Sequence, residues 1–315
     1  MDEKNTQHIP LILAFTPSYL VPAAACILSV KNHATSRDCF HFICLLTQRL
    51  STESEDMLVK LGGTRCRFSF IDLEGKLTDL YIDEKYTIAA SYRLLLPDLL
   101  PEYDKVLYID CDMIFQNNLA DLYHSIYLKD NYMAGVFEAT LDSQQAHMNA
   151  IGCEPGKYIN SGLLLMNLAQ LRKDNMVEKF LEAAKVEGLE FPDQDVINQL
   201  CRGKIVGLPP YCNSIRTFLL PQYKKIFLQY YTVQDWQNVQ HKGNVHYTGP
   251  KPWVTFTIAF DLWWKYYEKL PGKIKQQASF NLKVQILSRV YRTWFGKILI
   301  NTVRSLYRKV RNSEG

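Results

Sequence analysis

The stretch "KVLYIDCDMIF", residues 105–115, decides how the rest of the chain is read. Val106 to Ile109 are a continuous apolar β-run, the pattern of a strand covered on both faces. Two acids, Asp110 and Asp112, follow at once. Side chains alternate along a strand, so the carboxylates are expected on one side and Cys111 on the other. In an open α/β sheet, ligands bind at the C-terminal ends of the strands. Carboxylates this close repel, and one takes up a proton unless a cation lies between them. Oxygen donors suit Mg²⁺ or Mn²⁺, both of which keep positions open for substrate phosphates.

Toward the N-terminus, "IPLILAF" (9–15), "CFHFICLLT" (39–47) and "RCRFSFIDL" (65–73) read as strands. Between them, "YLVPAAACILSVKNH" has helical apolar spacing, and "STESEDMLVKLGG" is a capped helix ended by Gly62-Gly63. A helical stretch "TIAASYRLLLPDLL" (87–100) leads into the strand carrying Asp110. This alternation predicts an α/β fold built on a parallel sheet that binds a nucleotide at its C-terminal edge. Neither G-x-G-x-x-G nor G-x-x-x-x-G-K-[ST] occurs, so the familiar phosphate loops are not the means of holding it. Toward the C-terminus three segments stand out. "YINSGLLLMNL" (158–168) is a small polar pair entering an apolar strand, "FPDQDVINQL" (191–200) is an acid-dressed helix start, and "VHYTGPKPWV" (245–254) is a turn-rich segment.

With 315 residues and a net charge of +4, the chain has the make-up of an ordinary globular protein with a sizeable core. Its eight cysteines form no C-x-x-C pair and no zinc spacing, which predicts buried free thiols in a reducing compartment. The N-terminal "MDEKNTQHIP" has no apolar core, and no apolar run reaches the roughly 18 residues of a spanning helix, so a cytoplasmic or peripheral protein is expected. From Lys265 onward there are 12 Lys/Arg against Glu268 and Glu314, a basic tail on a mildly acidic body. The boundary is accordingly expected at 264/265, dividing a domain of residues 1–264 from a tail of residues 265–315.

An apolar strand followed by D-x-D also occurs in phosphatases of the haloacid dehalogenase type, whose first Asp is the nucleophile. Those place the motif near the N-terminus and supply a later acidic pair. Here it lies a third of the way along, and no Asp-Asp pair exists.

Taken in order, "YDKVLYIDCD", "YINSGLLLMNL", "FPDQDVIN" and "HYTGPKPW" resemble the retaining glycosyltransferases of family 8, particularly the bacterial lipopolysaccharide galactosyl- and glucosyltransferases. The resemblance covers roughly residues 9–255 and implies a single GT-A (Rossmann-like) α/β domain that binds a UDP-hexose and Mn²⁺ (or Mg²⁺). It implies Asp110, Asp112 and His246 as metal ligands, and Lys251 with the Gly249 N–H at the diphosphate. Arg93, Asn160, Ser161, Asp193 and Gln194 would contact the donor sugar, with Gln194 and Asp193 as the catalytic pair. Ala14, Thr16, Tyr19 and Cys111 complete the implied donor site. Gln194 would sit on the sugar face opposite the leaving group as a polar stabiliser, since a carboxamide is a poor nucleophile. Asp195 can be purely structural, a charge suited to the helix dipole.

One segment departs from the family. The first strand normally runs into acidic and Asn residues, whereas "AFTPSY", Ala14 to Tyr19, has Thr16, Pro17 and Ser18 there. Tyr19 can still stack on a base. A noncatalytic sugar-nucleotide-binding module is the function this departure would favour. In "NLKVQILSRVYRTWFGKILINTVRSLYRKVR" (281–311), Leu287, Val290, Tyr291, Trp294, Phe295, Ile298, Val303, Leu306, Tyr307 and Val310 share one helical face. Arg289, Arg292, Arg304, Arg308, Lys309 and Arg311 flank it, as in an interfacial membrane helix. The resulting expectation is a saccharide or lipid-linked acceptor, an anionic membrane surface on the inner face of the plasma membrane as partner, and no nucleic acid.

Overall fold

The computed structural model describes residues 8–78, 80 and 87–302. The predicted tail residues Val303, Arg304, Leu306, Tyr307, Arg308, Lys309, Val310 and Arg311 lie outside them. Nine strands are described: β1 (Ile9–Phe15), β2 (Phe40–Leu46), β3 (Cys66–Asp72), β4 (Lys105–Ile109), β5 (Met113–Ile114), β6 (Met133–Phe137), β7 (Ile159–Asn167), β8 (Ile205–Gly207) and β9 (Val245–His246). Seven form one sheet in the order β3-β2-β1-β4-β7-β6-β8, and β5 pairs with β9 in a small second sheet. The expected parallel arrangement needs one correction. β7 runs antiparallel to both neighbours, β4 and β6, while the other pairs are parallel. An apolar run buried on both faces looks the same in either direction, so the sequence pattern does not report strand polarity.

Strand alternation splits the core into two layers. On β1, Ile9, Leu11, Leu13 and Phe15 face one apolar cluster and Ile12 faces the other. On β4, Leu107 and Ile109 join the first and Val106 and Tyr108 the second. Over the first face lies α1 (Leu20–His33), whose Ala23, Ala24 and Ala25 are fully buried. These small side chains let α1 lie between the sheet and the Phe260–Lys269 helix. The helix α2 (Thr52–Gly62) forms where expected, with the Ser51 hydroxyl capping Ser54 N. The stretch 87–100 is helical, but as a 3-10 segment Ile88–Leu95 followed by one α turn, Leu96–Leu99. All eight cysteines are free.

The expected boundary at 264/265 falls inside the Phe260–Lys269 helix. Trp263, Trp264, Tyr266, Leu270, Ile274 and Val284 are buried in the same core as β1 and α1. Charge composition changes at Lys265, but apolar burial does not. The Leu282–Tyr291 helix packs back on the body, with Arg289 Nε 2.7 Å from Glu268 Oε1 and Arg292 Nη2 2.7 Å from Glu268 Oε2. The tail is also not one continuous helix. Helix stops at Arg292 and restarts at 294, because the Thr293 hydroxyl accepts from Gly296 N at 3.0 Å as an N-cap. Among the described residues no helix is long and apolar enough to cross a membrane.

A chain truncated after Trp264 is expected to fail to fold, because it uncovers α1 and the Trp253–Trp263 contact, which has a 5.0 Å centroid separation. A domain is stable by only roughly 5–15 kcal/mol. One truncated after Arg292 is expected to keep a cooperative thermal transition. Circular dichroism melts of the two chains check this.

Candidate active site

β4 ends at Ile109, and Asp110 to Asp112 form the turn into β5. Met113 pairs with His246, and Tyr247 N donates to Asp112 O at 3.1 Å. This small two-stranded sheet lays His246 over the acids, so the turn rather than strand alternation gathers the three. The reversed polarity of β7 supplies the next wall. Ile109 pairs with Leu163, and Asp110 N donates to Gly162 O at 2.8 Å, which sets Asn160, Ser161 and Gly162 beside Asp110. A Cβ on Gly162 would lie 2.2 Å from His246 Cε1 and 2.8 Å from Asp110 Oδ2, so only glycine permits this approach.

Each acid has one oxygen engaged and one turned inward. Asp110 Oδ1 accepts from Arg93 Nη2 at 2.8 Å and from the Tyr108 hydroxyl at 3.0 Å. Asp112 Oδ2 is held by the Lys251 ammonium. The other two oxygens face His246 Nε2, Asp110 Oδ2 at 3.6 Å and Asp112 Oδ1 at 3.3 Å. On the far side of the ring, His246 Nδ1 lies 3.0 Å from Asn213 Oδ1, while Asn213 Nδ2 donates to Asn160 Oδ1 at 2.8 Å. Asn213 Oδ1 is therefore the acceptor and Nδ1 the donor, which leaves Nε2 as the ring nitrogen turned to the acids. The three candidate ligand atoms lie within 4.8 Å of one another. One imidazole nitrogen and two inward carboxylate oxygens make a donor set that fits a divalent cation accepting nitrogen and oxygen.

The charges around this point are cross-braced. Arg93, 2% exposed, also reaches Asp193 Oδ2 at 3.2 Å from Nε, donates to Ala90 O and Ser161 O, and lies 4.2 Å over the Tyr108 ring. Burial opposes its charge, but Asp110 and Asp193 outweigh that and hold the guanidinium protonated. Burial would likewise raise Asp112; Lys251, with His246, outweighs it and holds the carboxyl below the ordinary range. Asp193 is raised by burial despite the opposing charge of Arg93.

Gln194 stands on the Pro192–Leu200 helix with its side chain fixed. Its Oε1 accepts from Ser161 N at 2.9 Å and Asn160 Nδ2 at 3.1 Å, and its Nε2 donates to Glu138 Oε1 at 3.3 Å. Asp195, fully buried, binds Tyr158 Oη at 2.5 Å, His147 Nε2 at 3.0 Å and Phe191 N at 3.0 Å, which accounts for it structurally. Gly249 has φ +86°, a left-handed turn that favours glycine and carries the chain on to Lys251.

Arg93, Asp110, Asp112, Asn160, Ser161, Asp193, Gln194, His246, Gly249 and Lys251 thus line one cleft of about 380 Å³. Ala14, Thr16, Tyr19 and Cys111 lie outside its lining. The Cys111 side chain is buried in the core against Ala14 O, the Thr16 hydroxyl bonds Ser18, and Tyr19 packs edge-on to Trp253. Glu138, Arg216, Thr217 and Thr248 line the cleft as well, and Asn213 backs it; sequence reading singled out none of them. Each is a single polar residue without a pattern of its own. Glu138, raised by burial against the hydrogen bond from Asn160, is the cleft's further acid.

The geometry does not suit a phosphatase nucleophile, since Asp110 has one oxygen tied to Arg93 and the other turned to His246. The fold is the GT-A glycosyltransferase fold. It superposes with a TM-score of 0.71 on the galactosyltransferase LgtC in complex with donor and acceptor sugar analogues, at 21% identity, covering 86% of this chain and 100% of that one. The bifunctional glycosyltransferase WbbM gives a TM-score of 0.72 at 20% identity, covering 88% of this chain and 53% of that one. Residues 10–257 match the model of glycosyl transferase family 8, and the chain belongs to that family. A lipopolysaccharide 1,2-glucosyltransferase of Escherichia coli is 28% identical over 265 residues, 80% of this chain and 75% of that protein. The protein is therefore a glycosyltransferase enzyme, and neither the phosphatase nor the noncatalytic binding module is favoured.

Gly162→Ala is expected to displace His246 and Asp110 and abolish divalent-metal binding. Asn213→Ala, which frees the ring, is expected to weaken it about 10–100-fold. Mn²⁺ titration followed by electron paramagnetic resonance measures both, with parent-like affinity the result that contradicts this reading.

Proposed function

We propose that this enzyme transfers a hexose, galactose or glucose, from a UDP-sugar to a saccharide acceptor with retention of anomeric configuration, in lipopolysaccharide or surface-glycan synthesis. The observation that carries the reading is the pair of inward oxygens on Asp110 and Asp112 facing His246 Nε2, with Lys251 and Gln194 lining the same cleft. A Mn²⁺ or Mg²⁺ ion held by these three would supply Lewis-acid stabilisation of the departing diphosphate. Lys251 and the Gly249 N–H add donors where that charge grows, the largest electrostatic demand of the reaction. The relative named as a lipopolysaccharide 1,2-glucosyltransferase supports the pathway and the hexose.

The donor sugar is assigned to Arg93, Asn160, Ser161, Asp193 and Gln194, and the base and ribose to the β1 edge, with Ala14, Thr16, Tyr19 and the Cys111 backbone. Gln194 Oε1 already accepts from Ser161 and Asn160, which suits a fixed dipole rather than an attacking group. Retention then proceeds by front-face attack of the acceptor hydroxyl on a short-lived oxocarbenium-like ion pair. The O–H proton passes to the departing phosphate oxygen as the new C–O bond forms and the old one breaks.

The C-terminal segment is assigned to an anionic membrane surface on the cytoplasmic side of the plasma membrane, near a lipid-linked acceptor. Its support is the stretch after Arg292, where Trp294 and Phe295 are 72% and 79% exposed and Ile298 and Leu299 also face solvent. Apolar and aromatic side chains beside Lys297 and Arg292 suit the boundary between headgroups and acyl chains. The net acidic charge of the body argues against nucleic acid as the partner.

Asp110→Asn and Asp112→Asn are each expected to abolish transfer, with chelation by EDTA reproducing the loss and Mn²⁺ reversing it in the parent only. Gln194→Ala is expected to lower kcat about 10²-fold or more with donor KM near the parent value, because charge stabilised only in the transition state appears in kcat. An inverted anomeric product by NMR would overturn the retaining assignment. Removal of residues 293–315 is expected to abolish co-sedimentation with anionic vesicles while leaving transfer to a water-soluble acceptor intact; equal sedimentation of both chains would contradict the membrane assignment.

A further inference from the structure

The cleft holds three cations, and they are not equivalent. Arg93 is paired with Asp110 and Asp193, and Lys251 with Asp112. Arg216 lines the same cleft, yet among the described residues no carboxylate lies within ion-pairing distance of it. Its side chain is tethered by a neutral group, Nη1 donating to the Thr257 hydroxyl at 3.1 Å. Its backbone N–H is fixed to Thr248 Oγ1 at 3.3 Å. The guanidinium is thus anchored at one nitrogen, and among the described residues the rest of its donor fork has no acceptor. A half-buried guanidinium without a counter-charge is unfavourable, and a ligand group in the cleft would answer it.

That group is an anion with several acceptor oxygens. An open guanidinium fork matches the spacing of phosphate or carboxylate oxygens. The donor's diphosphate is a poorer match, because Lys251, the Gly249 N–H and a divalent cation at Asp110, Asp112 and His246 would answer its charge. We propose that Arg216 forms a subsite for an anionic substituent, a phosphate monoester or a carboxylate, on the acceptor saccharide. The inference rests on the glycosyl-transfer reading and narrows its acceptor to charged sugars. A neutral acceptor would leave Arg216 as unsatisfied in the complex as it is without it.

The test uses the full chain with UDP and Mn²⁺ present, so that the donor pocket is filled. UDP affinity is measured first by isothermal titration. Glucose 6-phosphate, glucuronic acid and glucose are then titrated by saturation-transfer NMR on the parent, Arg216→Gln and Arg216→Lys. In the parent, at least one charged sugar is expected to bind about tenfold or more tightly than glucose, the effect of one charge-assisted contact. The phosphate and carboxylate arms tell the two sources apart. Arg216→Gln is expected to bring the charged sugars to the level of glucose, and Arg216→Lys to restore part of the preference. Equal binding of all three sugars by the parent, an undiminished preference in Arg216→Gln, or a loss confined to UDP affinity would overturn the proposal. Failure of the parent to bind UDP would instead count against the donor reading. The charged-against-neutral comparison, run without UDP, would then still decide the role of Arg216.

Discussion

Two carboxylates cannot lie side by side in a half-buried cleft unless their charge is answered, and the architecture around Asp110 and Asp112 follows from that requirement. Each acid spends one oxygen on a protein cation, Arg93 or Lys251, and turns the other toward His246. The cations fix the carboxylates without filling the space between them. Arg93 is itself almost wholly buried and would be destabilising alone, so Asp193 holds its other edge. Removing one member of such a buried set leaves an uncompensated charge that costs about 3–5 kcal/mol. The network therefore joins stability to chemistry. Arg93 ties β4 to the Pro192–Leu200 helix, and any movement of that helix shifts both Gln194 and the acid pair.

The polarity of β7 is the backbone counterpart of this arrangement. A parallel strand beside β4 would have delivered its C-terminal residues to the ligand edge. The antiparallel one delivers its N-terminal residues, Asn160 to Gly162. From there a line of hydrogen bonds runs from Gln194 through Asn160 and Asn213 to His246. Asn213 does two jobs on that line. Its oxygen orients the His246 ring and its amide nitrogen orients Asn160, so the proposed metal ligand and the proposed sugar contact are referenced to one side chain. Such outer-shell partners orient the ligands they touch and tune their basicity.

How much of this was legible in the sequence depended on whether the signal was contiguous. Asp110 and Asp112 announce themselves because an apolar strand precedes them and they lie two residues apart. Their joint position was expected from strand alternation, yet a turn achieves it, since β4 has already ended. His246 carried no chemical signature alone and was identified through its resemblance to a family segment. Glu138, Asn213 and Arg216 were not legible, because each is one polar residue whose role depends on a partner far away in the chain. Asn213 meets Asn160 across 53 positions. The β7 polarity was hidden because burial on both faces erases directional pattern. The 264/265 boundary falls within the Phe260–Lys269 helix because charge and burial report different things. Lys265 begins a basic composition, while Tyr266, Leu270 and Ile274 continue the core.

The tail shows the same distinction at the level of one helix. Apolar residues at helical spacing and flanking arginines describe a helix packed on a body as well as one lying on a membrane. The Leu282–Tyr291 helix takes the first course, with Val284 and Ser288 buried and Arg289 and Arg292 spent on Glu268. Beyond the Thr293 cap, Trp294, Phe295, Ile298 and Leu299 are exposed, with no such packing among the described residues. Periodicity gives the presence of a face but not its occupant. The break at Thr293 matters because it frees the direction of the second helix from the first. A continuous helix would have carried Trp294 and Phe295 along the axis set by the Glu268 pairs, whereas a capped restart lets the aromatic face take its own angle to whatever surface covers it.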